Sequence, residues 1–197
     1  MRADLQIIAD LIKPRARVLD LGCGDGELLK HLQAEKAVNG YGLEIDPEKI
    51  GRCIERGINV LEQNLDDGLQ RFDDSSFDMV VMTETLQAVK APHQLLKEML
   101  RIGEECIVTF PNFGHWRCRL ELALRGTMPM ASHIPYPWYD TPNIRLCTFR
   151  DFEALCRQLE LRIIERFVTD ANYRNRAAFS RWPNHLGVIA FYRLGLR

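Results

Sequence analysis

Asp20, Gly22, Gly24 and Gly26 stand together in the stretch DLGCGDG, directly after the apolar run VLDL and directly before Leu28, Leu29 and Leu32, which have helical spacing. Glycines at alternate positions let main chain approach a ligand with no Cβ in the way, and the helix that follows points its free amides at whatever sits there. Such a turn serves dinucleotides, triphosphates and other adenosine compounds alike, so the flanking residues must choose among them. A phosphate loop needs G-K-[ST] after its glycines; Glu27 and Leu28 stand there instead, which excludes it. The dinucleotide fingerprint G-x-G-x-x-G needs a glycine or alanine where Glu27 is, and it fails by one residue. An NAD-dependent oxidoreductase is disfavoured on that ground.

Charge then selects. Asp20, Asp25 and Glu27 gather carboxylates around the turn, where a pyrophosphate would be repelled and a cation held. An adenosine compound with positive charge in place of phosphates is S-adenosylmethionine. Glu44, about twenty residues beyond the turn, ends the next predicted strand, where a carboxylate can accept hydrogen bonds from both ribose hydroxyls. Alone, Glu44 reads more plainly as a helix N-terminal charge ahead of Asp46 and Pro47. Beside D-x-G-x-G-x-G it supports S-adenosylmethionine or S-adenosylhomocysteine as the ligand.

These residues need strands to hold them. Leu5, Ile8, Leu11 and Ile12 predict a covering helix that stops at Pro14. Val18–Leu21 predicts the first strand, NGYGLEI the second, and DPEKIGRCIERG a helix capped by Asp46, opened by Pro47 and closed by Gly57. INVLEQ, FDMVVM and ECIVTF read as further strands, with APHQLLKEMLRIG as the helix before the last. Short apolar runs alternating with helices imply a mostly parallel α/β sheet covered on both faces. A helix from about His115 to Leu124, another at FRDFEALCRQL, and strands at LRIIERFV and GVIAFYRL, paired as a hairpin-like edge, complete the chain.

The whole chain is consistent with one soluble domain, residues 1–197. It has 197 residues, 46% hydrophobic and 27% charged, and a formal net charge of -1, which gives no overall reason to expect nucleic acid as a partner. The six cysteines form no C-x-x-C pair and read as reduced, buried thiols, with no metal site implied. Charges recur every few residues near Met1, so neither a signal peptide nor a membrane span is expected, and the chain is placed in the cytoplasm.

DLGCGDG followed by Glu44 resembles the cofactor motif of class I S-adenosylmethionine-dependent methyltransferases, over nearly the whole chain. The resemblance implies a Rossmann-like fold with a seven-stranded sheet and an antiparallel last strand. It implies that Asp20 and the turn through Gly22, Cys23, Gly24 and Gly26 hold the methionine end, Glu44 the ribose, and Asn64 with the Leu65 main chain the adenine. Leu21, Ile45 and Thr83 complete the implied cofactor set. Asn64 stands where such proteins often have aspartate; its amide carbonyl accepts the same bond without charge assistance.

Methyl transfer from a sulfonium needs a nucleophile held in line and, for some acceptors, a base. The N/D-P-P-Y/F stretch common in amino-methylating enzymes is missing; TETLQAV, Thr83–Val89, stands in its place. The polar candidates for an acceptor site are Glu84, His93, His115, His133, Tyr136, Tyr139 and Asp140, and each serves as readily in surface, capping or loop-packing roles. The segment from about 113 to 148, crowded with Pro, Met, Tyr and Trp, suits either a lid or a partner-binding surface.

With TLQAV, the runs PNFGHW and WYDTPN resemble the MetW family of methionine-biosynthesis proteins, from the glycine turn to about Cys156, with NHLGVIAFYRL following less strictly. That resemblance implies a partner, homoserine O-acyltransferase, whose activity the family supports. A methyltransferase fold that binds S-adenosylmethionine, the end product of the route, would act as a sensor. The alternative is a true methyltransferase acting on a small molecule, with the aromatic segment as its lid.

Overall fold

The structure, a computed structural model, describes residues 3–174, 179 and 181–196. Seven strands form one sheet in the order β3-β2-β1-β4-β5-β7-β6: β1 Arg17–Leu21, β2 Asn39–Glu44, β3 Asn59–Glu62, β4 Phe77–Thr83, β5 Gly103–Pro111, β6 Leu161–Thr169 and β7 Ile189–Leu196. The first five run parallel; β7 is antiparallel to both β5 and β6. The predicted hairpin-like edge is present, with β6 outermost and β7 inside.

Successive strand residues point to opposite faces, and both faces are covered. Val18 packs with α1 (Ala3–Leu11) and α2 (Glu27–Lys36) through Leu5, Ile8, Leu28, Leu29 and Leu32. Leu19 and Leu21 face the other layer, where Leu95, Leu96 and Met99 of α4 (Pro92–Ile102) and Phe149 and Phe152 of α6 (Phe149–Gln158) pack on Phe110 and Tyr192. The Phe110, Phe152 and Tyr192 rings lie 4.7–6.0 Å apart, so the second core is aromatic at its centre.

Local chemistry sets the helix ends. Asp46 caps α3 (Pro47–Glu55) by accepting from the Glu48 amide at 2.9 Å, with Pro47 at the first helical position. His115 caps α5 (Trp116–Arg125) through Nδ1, and Gly126 ends it at φ +65°. Thr148 and Asp151 form a reciprocal capping box on α6.

Candidate functional site

Reading the sheet order against the chain order, connections from β1 run to β2 on one side and from β3 to β4 on the other. A crevice therefore opens at the carboxyl ends of β1 and β4, the place where open α/β sheets bind ligands. The DLGCGDG turn leaves β1 there. The Gly22 and Cys23 amides both donate to the Leu43 carbonyl, at 2.8 and 3.0 Å, which ties the turn to the end of β2.

Gly22, Gly24 and Gly26 all have positive φ, +73°, +59° and +76°, but they do different work. A Cβ on Gly22 would lie 2.7 Å from Thr85 Oγ1, and one on Gly26 would lie 3.1 Å from Cys53 Sγ and from Ile58. These two permit close packing against the turn after β4 and against α3. A Cβ on Gly24 would meet nothing within 4 Å. Gly24 is the glycine that borders open space.

Glu44 at the end of β2 is buried and bound from three sides. Its Oε2 accepts from the Gly24 amide at 2.9 Å, and its Oε1 accepts from Ile45 N at 2.8 Å and Asp46 N at 3.1 Å. Asp46, not Glu44, caps α3. Asp20 is 3% exposed, and its Oδ1 has no hydrogen-bond partner. Burial, reinforced by the Glu44 charge, pushes its carboxyl up to about 7. Thr83 Oγ1 is likewise buried without a partner. An unpaired carboxylate oxygen near the end of β1 and an unpaired hydroxyl at the end of β4, with an open glycine in the turn after β1, fit a polar, cation-bearing ligand.

The carboxylate ring drawn from the sequence is smaller than it looked. Asp25 pairs with Arg56, Oδ2 to guanidinium at 2.9 Å, and Arg56 also donates to the Asp25 carbonyl at 2.8 Å. The Asp25 charge is therefore offset, and of the carboxylates around the turn Asp20 and Glu44 are the buried ones. Leu21 is fully buried in the core, and Cys23 turns inward to Cys53, Sγ to Sγ 3.9 Å, so both leave main-chain atoms for a ligand. All six cysteines are free thiols.

The remaining cofactor candidates lie along the same sheet edge. The Gln63 amide donates to the Glu44 carbonyl at 3.0 Å, placing Asn64 and Leu65 beside the end of β2. Asn64 is exposed, and its carbonyl accepts from the Asp66 amide at 3.0 Å, capping the short 3-10 turn Leu65–Asp67. Ile45 is 56% exposed. Sequence reasoning missed Thr85 and Thr109: Thr85 packs on Gly22, and buried Thr109 anchors the turn after β4 by accepting from the Glu84 amide at 2.9 Å. No spacing rule marks a threonine for either task.

The fold has many counterparts among solved structures. A Mesorhizobium loti S-adenosylmethionine-dependent methyltransferase superposes with a TM-score of 0.71 at 16% identity, covering 98% of this chain and 97% of that one. A Haloferax volcanii methyltransferase solved with its Trm112 activator gives 0.69 at 17% identity, covering 97% and 88%. At this distance the likeness shows the fold alone. The family model described as "Methionine biosynthesis protein MetW" matches residues 2–194. The chain belongs to the MetW family.

The family is described as one of methionine biosynthesis, and the fold is the one seen in S-adenosylmethionine-dependent methyltransferases. The MetW assignment is supported by the bifunctional methionine biosynthesis protein MetXA/MetW of Rhodopirellula baltica, 35% identical over 205 residues and 98% of this chain. The chain spans about a third, 33%, of that relative's length.

The segment from about 113 to 148, whose composition suits either a lid or a partner surface, is mostly open to solvent. Leu124 is 76% exposed, Trp138 72% and Tyr139 75%, with Leu120, Met130 and Ile144 about half exposed. A cavity of about 560 Å³ opens among Phe113, Met128, Ile134, Trp138, Tyr139 and Leu146. Trp138 and Tyr139 thus do not serve as buried loop packing.

The acceptor candidates divide. His93 and Asp140 are exposed. His115 and His133 lie with ring centroids 5.7 Å apart, and His133 Nε2 is 3.8 Å from Cys118 Sγ. Burial, then the His133 and Arg117 charges, lowers His115 to about 4, so it is neutral at physiological pH, as its capping role requires. Glu84, Tyr136 and His133 line a separate cavity near the end of β4. Among the described residues no group of three or more His, Cys, Asp or Glu could hold a metal, and no helix is long and apolar enough to cross a membrane.

Proposed function

We propose that the chain binds S-adenosylmethionine or S-adenosylhomocysteine at the glycine turn and supports homoserine O-acyltransferase as a cytoplasmic partner, contacting it through the segment from about 113 to 148. The observation that carries the reading is the wide exposure of Leu124 and of Trp138 and Tyr139, the last two on the wall of an apolar cavity, on a fold that supplies a separate, polar crevice. The partner itself is supported by the MetW resemblance and by a relative in which a MetW region is joined to MetXA.

In this reading Asp20 and the main chain of Leu21, Gly22, Cys23, Gly24 and Gly26 face the methionine end, with Thr83 beside them. Glu44 holds the ribose. Asn64, Leu65 and Ile45 border the adenine. The cofactor supplies positive charge that Asp20 and Glu44 favour. Glu44 already accepts three main-chain amides of the roughly four hydrogen bonds a carboxylate can take. Holding both ribose hydroxyls therefore asks the Gly24 amide to let go of Glu44, so ligand binding repositions the turn.

Acyl-transfer rate measured with and without the chain, across a range of S-adenosylmethionine concentrations, tests the reading. A rate that rises on mixing and shifts with the ligand supports it. By linkage, the acyltransferase must then change ligand affinity by the same factor. No change in rate on mixing overturns the partnership, and steady S-adenosylhomocysteine release with an added metabolite would instead favour a working methyltransferase.

A further inference from the structure

Three arginines line one cavity at the β6 edge of the sheet. Arg150 of α6, Arg166 of β6 and Arg181 surround a volume of about 650 Å³ together with Glu153, Trp116 and Trp182. Part of its wall is the short helix Pro183–Leu186, which is held in place from the core: the buried Asn112 donates through Nδ2 to the carbonyls of Gly187 and Asn184, at 2.7 and 3.4 Å. Phe149, 1% exposed, closes another part. In the sheet order β6 is the edge opposite β3, so this cavity is remote from the glycine turn, which lies between β1 and β2.

The charges on the wall do not cancel. Glu153 is the one carboxylate among the lining residues, and its Oε1 already accepts from Arg166 at 2.8 Å and from Tyr192 Oη at 2.9 Å. Arg150 and Arg181 have no carboxylate partner among the described residues. Residues 175–178 and 180 carry no acidic side chain, so the sequence next to Arg181 supplies none either. Two guanidinium charges are left over, and His185, the remaining titratable group on the wall, adds no negative charge. The rings are also open. Trp182 is 62% exposed and makes no ring contact with a described residue, while Trp116 is 44% exposed with Arg117 over its ring, 5.4 Å from the centroid.

We infer that this cavity is a second binding site, for a phosphomonoester carried on a planar ring, of the nucleoside monophosphate type, with Arg150 and Arg181 on the phosphate and Trp182 against the ring. A phosphomonoester carries a charge of about −1.5 to −2 at neutral pH, which matches two spare guanidinium groups, and each guanidinium fork pairs with phosphate oxygens in a planar, two-bonded geometry. A single carboxylate would leave one arginine unmatched. An indole with a free face stacks on any flat heterocycle, and the volume falls within the range of about 300–1,000 Å³ usual for small-molecule sites. The inference does not depend on what the glycine turn binds.

Three matched probes test it by calorimetry on the whole chain with S-adenosylhomocysteine present: inosine 5′-monophosphate, inosine and ribose 5-phosphate. The nucleotide should bind saturably and quench emission from Trp116 and Trp182, two of the three tryptophans, and the quench should persist in Trp138→Phe. Inosine, without the phosphate, and ribose 5-phosphate, without the ring, should each bind at least about tenfold more weakly. The double variant Arg150→Ala, Arg181→Ala should weaken nucleotide binding about tenfold or more while S-adenosylhomocysteine affinity stays within about twofold, and Trp182→Ala should bring the nucleotide down to the level of ribose 5-phosphate. Absence of saturable nucleotide binding, equal binding of either fragment, or unchanged affinity in the double variant overturns the inference. No nucleotide binding, with weaker stimulation of the acyltransferase by the double variant, overturns it in favour of a surface for an acidic protein segment. If the double variant fails to fold, the probe comparison on the unaltered chain and on Trp182→Ala decides. Failure of S-adenosylhomocysteine to bind shows in its own titration and bears on the glycine turn alone.

Discussion

The Gly24 amide donates to Glu44 Oε2 at 2.9 Å, joining the glycine turn after β1 to the acidic end of β2, twenty positions further along the chain. The bond makes the two motifs one device: whatever moves the turn also turns the carboxylate. Glu44→Ala should therefore do more than remove a ligand contact. With three amides released it should lower stability by about 1–3 kcal/mol and abolish S-adenosylmethionine binding, read by denaturant unfolding and calorimetry. Unaltered affinity in a folded variant would remove Glu44 from the site.

Two glycines should separate packing from binding. Gly24→Ala places a Cβ in open space at positive φ, so the cost to stability is about 1 kcal/mol while cofactor affinity falls at least tenfold. Gly22→Ala meets Thr85 Oγ1 at 2.7 Å as well, and should destabilise more than Gly24→Ala. Thermal melts with and without S-adenosylhomocysteine distinguish the two.

Asp20 should report the arrival of positive charge. Its carboxyl sits near 7 because burial and the neighbouring Glu44 penalise its charged form. The folded state thus holds this proton more tightly than the unfolded chain does, so stability falls as pH rises from about 4 to about 7. A cationic ligand favours the ionised form, so S-adenosylmethionine should release protons on binding near pH 7 and bind more tightly above it. Calorimetry in buffers of different ionisation enthalpy measures the release, and Asp20→Asn should abolish it.

His115 gives the opposite slope. Its folded value, lowered to about 4 by burial, lies below the unfolded 6.5, so its neutral form is favoured and stability is lost as pH falls through that window. Protonation also removes the acceptor that Nδ1 offers Arg117 N at the start of α5. Unfolding midpoints between pH 7 and 5 should drop less in His115→Asn, which keeps a neutral cap.

Leu124→Glu and Trp138→Ala alter exposed side chains, so each should leave stability within about 0.5 kcal/mol. If the segment is the acyltransferase surface, both should reduce stimulation of acyl transfer severalfold with cofactor affinity unchanged. Full stimulation in both variants would place the partner elsewhere.

Much of the fold was legible because its signals are local. Asp46-Pro47 at a helix start, Gly57 past its end and the apolar Val18–Leu21 run each act within a few residues, and the structure places α3 and β1 accordingly. The glycine turn was legible as a tight bend between β1 and α2, yet the work of each glycine was not, because Thr85, Cys53 and Ile58 approach it from other parts of the chain. Charge was over-read for the same reason. Asp25 counts as an anion in the sequence, and only the fold brings Arg56 beside it.

Placing β7 between β5 and β6 also sets the order in which a nascent chain can complete its sheet. The five parallel strands can assemble as they leave the ribosome, but β6 gains its neighbour among the described residues only when Ile189–Leu196 has been synthesised. Until Ile189–Leu196 pairs with it, β5 presents an unpaired edge, a template on which a strand of another chain could add.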